Sequence, residues 1–124
     1  MAQQKILVID DSSTVRELVA TTLGKAGYTV IEACDGVDGL DQIGKHEDLS
    51  AVICDVNMPR MSGIDMIESV HKEGSRPALP ILMLTTEGQR ELIQRAKQSG
   101  AKGWIIKPFV PEMLLAAVRK VTAA

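Results

Sequence analysis

The sequence is poor in aromatic residues, in net charge and in long apolar runs. Its 124 residues include one Tyr, one Trp and one Phe, which are too few to form a platform on which nucleic-acid bases stack. The formal net charge of −2 leaves no excess of positive charge for a phosphate backbone. Nucleic acid is therefore excluded as an expected partner.

The apolar segments are all too short to cross a bilayer, since a membrane-spanning helix requires about 20 consecutive apolar residues. The first of them, residues 6–9, is also too short for the apolar region of a signal peptide. We therefore expect no membrane association and a cytoplasmic location. Cys34 and Cys54 lie in apolar segments without a C-x-x-C pattern, so we expect two buried free thiols rather than a disulfide.

The sequence does contain a regular alternation of apolar and amphipathic segments, and its length fits one domain over residues 1–124 with no output domain. This alternation predicts an α/β fold in which helices cover both faces of a parallel sheet. For five strands the common order is 2-1-3-4-5, so we expect a flavodoxin-like, doubly wound (βα)₅ fold. The predicted strands are residues 5–9, 28–33, 51–54, a fourth strand that Pro80 opens, and 103–106; the predicted helices are a first from Ser12 or Ser13 to Gly27, then 36–44, 64–72, 87–99 and a last one that starts at Pro111.

Apolar residues recur at helical spacing in the predicted helices, which for the first and the last predicts the face that each one buries. The first helix would bury Val15, Leu18, Val19, Thr22 and Leu23, and the last would bury Met113, Leu114, Ala117, Val118 and Val121.

Polar residues suited to phosphate chemistry follow four of the five predicted strands, where the carboxyl ends of parallel strands share one edge. Three carboxylates there would repel one another, and a divalent cation would relieve this repulsion. An aspartate can also act as the nucleophile in phosphoryl transfer, with a cation and a hydroxyl to stabilise the charge. These residues are Asp10 and Asp11, Asp55, Thr85 and Thr86, and Lys107.

Four segments in this order resemble the signature of response-regulator receiver domains: Ile-Asp-Asp-Ser at 9–12, Cys-Asp-Val-Asn-Met-Pro at 54–59, Leu-Thr-Thr-Glu at 84–87 and Ile-Lys-Pro-Phe at 106–109. The resemblance covers the whole chain. It is greatest to the single-domain chemotaxis regulators of this family, because of the pattern Asp-x-Asn-Met-Pro-x-Met at 55–61 and Thr-x-Glu at 85–87.

The resemblance implies a role for each site residue. Asp55 would accept the phosphoryl group, Mg²⁺ would be bound by Asp10, Asp11, Asp55 and the backbone carbonyl of Asn57, and Lys107 would pair with the carboxylate and then with the phosphoryl group. Thr85 and Trp104 would form the switch, and Asn57, Glu87 and Thr86 would tune the lifetime of the phosphoryl group. The chain departs from the family pattern at Trp104, where Tyr or Phe is more usual, at Thr86 and at Val56.

The resemblance also implies partners. A histidine kinase would donate the phosphoryl group, and a face built from helix four, strand five and helix five would change and bind a target. We expect that target to be the flagellar motor switch, with a phosphatase as a further candidate partner. The protein would be a monomer that catalyses only its own phosphorylation and dephosphorylation, and not a metabolic enzyme.

Other interpretations stay open at this point. A stand-alone receiver could relay phosphate or act as a phosphate sink. A phosphohydrolase with an aspartyl nucleophile would require a second acid two residues after that nucleophile, where this chain has Asn57. Asp10 and Asp11 could be helix-capping acids, and Trp104 could be a packing residue or an interface anchor.

Overall fold

The computed structural model describes residues 4–56, 63–68, 70, 79–86, 90–98, 100–107 and 109–122. Strands and helices alternate along this part of the chain, as the apolar pattern predicts. The strands are β1 (Lys5–Ile9), β2 (Thr29–Ala33), β3 (Leu49–Asp55), β4 (Ile81–Thr86) and β5 (Gly103–Lys107), and the helices are α1 (Ser13–Lys25), α2 (Gly36–Lys45), α3 (Gly63–Glu68), α4 (Arg90–Gln98) and α5 (Pro111–Thr122).

The five strands form one parallel sheet in the order β2-β1-β3-β4-β5, which confirms the predicted fold class and topology. Strand β3 is longer than the predicted 51–54, because it pairs with β1 as far back as Leu49 and with β4 as far forward as Asp55. Strand β5 likewise runs on to Lys107, which pairs with Thr86. Backbone pairing with neighbouring strands therefore extends both strands beyond their apolar runs.

The core lies on both sides of the sheet, because successive residues of a strand point to opposite faces. In β1, Leu7 and Ile9 belong to one apolar cluster, whereas Ile6 and Val8 belong to the other. All four are fully buried. This explains why the central strands are continuous apolar runs without polar alternation.

Polar caps set the ends of the first two helices. The Ser12 hydroxyl accepts a hydrogen bond from the Val15 N–H at 3.3 Å, and the Asp35 carboxylate accepts one from the Asp38 N–H at 2.9 Å. Gly27 follows α1 with a φ of 99°, a left-handed conformation that favours glycine. The predicted limits of α1 are thus confirmed.

Three predicted burials are wrong. Leu18 and Met113 are 48% and 65% exposed, because the buried stripes of α1 and α5 are Val19 with Leu23 and Leu114 with Val118. Since successive helical residues are about 100° apart, the residue just before each stripe lies at its margin. Cys34 is also exposed because it follows the end of an edge strand, whereas Cys54 is buried as predicted.

Helix α2 packs very close to β1 at Gly39. A Cβ atom at this position would overlap Cδ1 of Ile9 and lie 3.1 Å from its Cγ1. Replacing Gly39 with Ala is therefore expected to destabilise the protein by about 1–3 kcal/mol, in spite of alanine's higher helix propensity. Gly44→Ala in the same helix is the control, since a Cβ added there would have no atom within 4 Å, and a stability gain of up to about 1 kcal/mol is expected. Urea unfolding of both variants measures the difference, and equal effects would contradict the close contact.

None of the helices in the described part of the chain has both the length and the apolar character that a membrane span requires.

Candidate functional site

Three carboxylates meet at the carboxyl edge of the sheet, beside the point where the strand order reverses. Because Ile9 of β1 lies opposite Cys54 of β3, the residues that follow them, Asp10 and Asp55, are neighbours. One carboxylate oxygen each from Asp10, Asp11 and Asp55 lies within 4.8 Å of the others. Asp10 is fully buried and Asp55 nearly so, whereas Asp11 faces solvent.

Lys107 lies between two of these carboxylates. Its Nζ donates a hydrogen bond to Oδ2 of Asp10 at 3.0 Å and lies 3.5 Å from Oδ2 of Asp55. The other oxygen of Asp10 accepts a hydrogen bond from the Ser12 N–H at 2.9 Å. The site therefore places a cation next to Asp55, for which the resemblance implies the role of phosphoryl acceptor.

The ammonium group of Lys107 stays charged in this position. Burial is the largest influence and by itself lowers the pKa of Lys107. The hydrogen bond to Asp10 and the negative charges of Asp55 and Asp10 together outweigh it, so that the pKa is raised above the ordinary value of 10.5. Because a raised lysine pKa contributes stability until pH rises through it, the ammonium stays charged throughout the neutral range.

Thr85 and Trp104 lie on β4 and β5, the two strands beyond β3 in the sheet order. Thr85 is buried on β4, one residue beyond the partner of Asp55. Trp104 lies on β5 opposite Met83, is 40% exposed, and has the Nζ of Lys97 5.9 Å from its ring centroid. In this structure the indole therefore lies on the surface.

Some predicted site residues cannot be placed. Asn57 and Glu87 lie outside the described residues, and for Thr86 only the backbone is described, opposite Lys107. Val56, which departs from the family pattern, is buried in the core.

The sequence interpretation missed Arg16, which belongs to the surroundings of the site. Its guanidinium donates a hydrogen bond to the backbone carbonyl of Asp10 and another to the carboxylate of Glu32. A positive charge near the start of a helix is electrostatically unfavourable. The position of Arg16 at the start of α1 could therefore have indicated, from the sequence, that its side chain has specific partners.

The donor set fits Mg²⁺. This ion prefers oxygen ligands and takes one or two carboxylates together with water and phosphate oxygens. With the three carboxylates ionised, the single charge of Lys107 leaves two net negative charges, which one divalent cation would balance. Asp10, Asp11 and Asp55 are the residues that could hold it.

Mg²⁺ is expected to stabilise the protein against heat. At about ten times its dissociation constant, a ligand specific for the folded state stabilises it by about 1.4 kcal/mol, which raises the Tm by about 5 °C. Differential scanning calorimetry measures this shift. Asp11→Asn is expected to lose most of the shift, whereas Asp48→Asn, which changes an exposed aspartate paired with Lys5, should retain it. Equal shifts in both variants would place the ion elsewhere.

Comparisons with known proteins agree with this geometry. The family model of the response regulator receiver domain matches residues 6–119. The chain belongs to this family. A chemotaxis protein CheY homolog of Campylobacter jejuni is 40% identical over 111 residues, which cover 89% of this chain and 85% of that protein. CheY1 of Helicobacter pylori is 39% identical, with 89% and 90% covered.

Solved structures give the same result. The chemotaxis response regulator CheY4 of Vibrio cholerae has a TM-score of 0.90 at 42% identity, and the match covers 97% of this chain and 99% of that one. The receiver domain of NtrX from Brucella abortus has a TM-score of 0.88 at 28% identity, with 94% and 97% covered. This receiver therefore belongs to a two-component system, in which a histidine kinase is the phosphodonor and a downstream target responds.

Proposed function

We propose that this receiver works in chemotaxis by accepting a phosphoryl group on Asp55 in the presence of Mg²⁺ and then binding the flagellar motor switch. The observation that supports this most strongly is the set of three converging carboxylates with Lys107 bridging Asp10 and Asp55. A helix-capping role alone would not require the second and third carboxylates or the partly buried cation Lys107. The hydrogen bond that Oδ1 of Asp10 accepts from the Ser12 N–H, at the start of α1, involves only one of the carboxylate oxygens.

In the proposed reaction, a carboxylate oxygen of Asp55 attacks the phosphorus of a phosphohistidine. The new P–O bond forms as the P–N bond breaks, and the histidine nitrogen leaves with the electron pair. Bound Mg²⁺ would neutralise charge on the phosphoryl oxygens. The Nζ of Lys107 lies 3.5 Å from the Asp55 carboxylate. It would stabilise the negative charge of the phosphoryl oxygens during transfer and then pair with the bound phosphoryl group.

Phosphorylation would change the balance of contacts at the site. The phosphoryl group adds about −1.5 to −2 of charge and three acceptor oxygens. The hydroxyl of Thr85 would donate a hydrogen bond to one of these oxygens. A displacement of Thr85 toward the phosphoryl group would affect β5, because the backbone of Ile106 lies opposite Thr85. Trp104 lies two residues earlier on β5, and we propose that it changes position in the same transition.

The proposed docking surface is an apolar groove of about 420 Å³ along β5 and the start of α5. Four exposed apolar side chains line it, an arrangement typical of protein-binding sites: Trp104, Ile106, Val110 and Met113. Lys97, which is exposed in the last turn of α4 and has its Nζ 5.9 Å from the centroid of the Trp104 ring, adds positive charge near this groove. The groove therefore suits a target segment that carries apolar anchors and acidic residues.

Binding of the purified flagellar switch protein, measured by isothermal titration calorimetry with beryllium fluoride as the phosphoryl mimic, tests this assignment. Val110→Asp is expected to weaken binding at least about tenfold, because it puts a carboxylate into an apolar groove facing an acidic segment. Val37→Asp is the matched control, since Val37 is 43% exposed on α2, away from the groove.

Three outcomes would change this assignment of surface or partner. Equal weakening by Val110→Asp and Val37→Asp would move the docking surface elsewhere. No binding to the switch protein, combined with rapid phosphoryl transfer to a histidine phosphotransfer protein, would favour a relay receiver, and loss of the phosphoryl group to water alone would favour a phosphate sink.

We also propose that the protein is a cytoplasmic monomer that catalyses only its own phosphorylation and dephosphorylation. An enzyme with an aspartyl nucleophile would release many phosphates per molecule from a phosphate ester. Multiple turnover on p-nitrophenyl phosphate that Asp55→Asn abolishes would overturn this proposal.

A further inference from the structure

Arg16 connects three parts of the fold that surround the carboxylates. From the first turns of α1, its Nη1 donates a hydrogen bond to the backbone carbonyl of Asp10, and its Nε lies 3.3 Å from Oε1 of Glu32 on β2. The Arg16 side chain is only 18% exposed and its bond to the Asp10 carbonyl is partly buried, whereas the contact with Glu32 is open to solvent.

The main chain of Asp10 is held from both sides by these neighbours. Its N–H donates to the carbonyl of Ala33 at 3.2 Å, and its carbonyl accepts from Arg16. Ala33 follows Glu32 in β2. The Asp10 backbone is therefore connected to β2 twice, directly through Ala33 and indirectly through Arg16 and Glu32. The carbonyl of Asp10 and the N–H of Asp11 belong to one planar peptide unit, so fixing that carbonyl fixes the plane between the two acids.

We propose that Arg16 is a positioning residue that orients the Asp10–Asp11 peptide so that both carboxylates reach a common cation with Asp55. Arg16 acts through the backbone and touches none of the three carboxylates in the described contacts. The proposal rests on the function proposed for this site and adds a residue that the site requires. Groups that orient metal ligands change metal affinity by about 10- to 100-fold when they are removed.

The sign of the effect separates positioning from simple electrostatics. Arg16 carries a positive charge near a cation site, so its removal would strengthen Mg²⁺ binding if charge alone mattered. Loss of positioning would weaken it. Arg16→Lys retains the charge but loses the planar fork that spans two acceptors, so positioning predicts weakened binding for this variant too.

Mg²⁺ affinity is measured by isothermal titration calorimetry without phosphodonor, for the wild type, Arg16→Ala and Arg16→Lys. Both variants are expected to bind Mg²⁺ about tenfold more weakly than the wild type. Lys5→Ala is the control, because it also removes one positive charge and one ion pair, Lys5 with Asp48 at 2.8 Å, from the other end of β1. At about 3.3 Å per residue, Lys5 is roughly 16 Å from Asp10, and its removal is expected to leave Mg²⁺ affinity unchanged.

A second measurement uses metal-free protein. Amide hydrogen exchange at Ser12, whose N–H donates to Oδ1 of Asp10, is expected to be faster in Arg16→Ala and unchanged in Lys5→Ala. If Arg16→Ala does not fold, Arg16→Lys and Glu32→Gln provide the same comparison.

Mg²⁺ affinity in Arg16→Ala equal to or tighter than that of the wild type would overturn the positioning role while leaving the proposed function intact. Absence of Mg²⁺ binding in the wild type would instead refute the proposed metal site. In that case the exchange rate at Ser12 still decides whether Arg16 orients this turn.

Discussion

Asp55→Asn is expected to abolish the phosphoryl adduct that the wild-type protein forms with acetyl phosphate and Mg²⁺. The amide has nearly the size of the carboxylate, but it lacks the negatively charged oxygen that attacks phosphorus. It also removes one charge from the three-carboxylate set, which weakens Mg²⁺ binding. Intact-mass spectrometry, recorded soon after mixing, measures the fraction of protein that carries one phosphoryl group.

Two controls make this result specific. Asp41→Asn changes an exposed aspartate of α2 that pairs with Lys45 at 3.0 Å, and it should form the adduct as the wild type does. Chelation of Mg²⁺ should prevent the adduct in every variant. An adduct of undiminished yield in Asp55→Asn would show that another residue is the acceptor.

Lys107→Ala is expected to slow phosphorylation by about 100-fold while Mg²⁺ binding becomes tighter. The rate falls because a preorganised cation that stabilises the transferring phosphoryl group is lost, and such groups contribute about 10²–10³ in rate. Mg²⁺ binding strengthens because the variant no longer has an ammonium group 3.0 Å from Asp10 and 3.5 Å from Asp55 that repels the metal ion. Stopped-flow fluorescence of Trp104 gives the rate, and calorimetry gives the affinity.

The opposite movement of rate and affinity is what identifies the role of Lys107. Lys45→Ala is the matched control, since it removes an ammonium that also pairs with an aspartate at 3.0 Å but is exposed on α2. It should change neither quantity. If Lys107→Ala lowered rate and Mg²⁺ affinity together, Lys107 would be holding the fold of the site, and its contribution to transfer would be unsupported.

The metal-free Lys107 variant should also be less stable at neutral pH. Asp10 is fully buried and Asp55 is 8% exposed, and removal of their shared cation leaves two carboxylates with a larger uncompensated charge. Added Mg²⁺ should recover part of the lost Tm, because it supplies the missing positive charge.

Much of the fold and of the site could be predicted from the sequence, for identifiable reasons. Strands covered on both faces are continuous apolar runs, and parallel strands all end at one edge. Residues at the carboxyl ends of those runs, such as Asp10, Asp55 and Lys107, therefore lie together at that edge of the sheet. The structure shows this meeting as distances of 3.0 and 3.5 Å from Lys107 to the two carboxylates.

Side-chain exposure was less predictable. Leu18, Met113 and Cys34 were expected to be buried, because an apolar residue next to a buried one looks the same in sequence. Whether it faces a neighbour depends on how the helix is rotated against the sheet, which many distant contacts decide together. The apolar groove beside Trp104 could not be predicted from the sequence either, because it depends on how α5 packs against β5.

The sequence by itself determined the order of strands and helices and the edge of the sheet at which Asp10, Asp55 and Lys107 lie, because these depend on local periodicity and on the common direction of parallel strands. Only the tertiary structure decided that Lys107 bridges Asp10 and Asp55, that Trp104 lies at the surface, and that Arg16 holds the Asp10 carbonyl. Those contacts join residues that lie on different elements, and their geometry depends on the packing of the whole sheet against its helices.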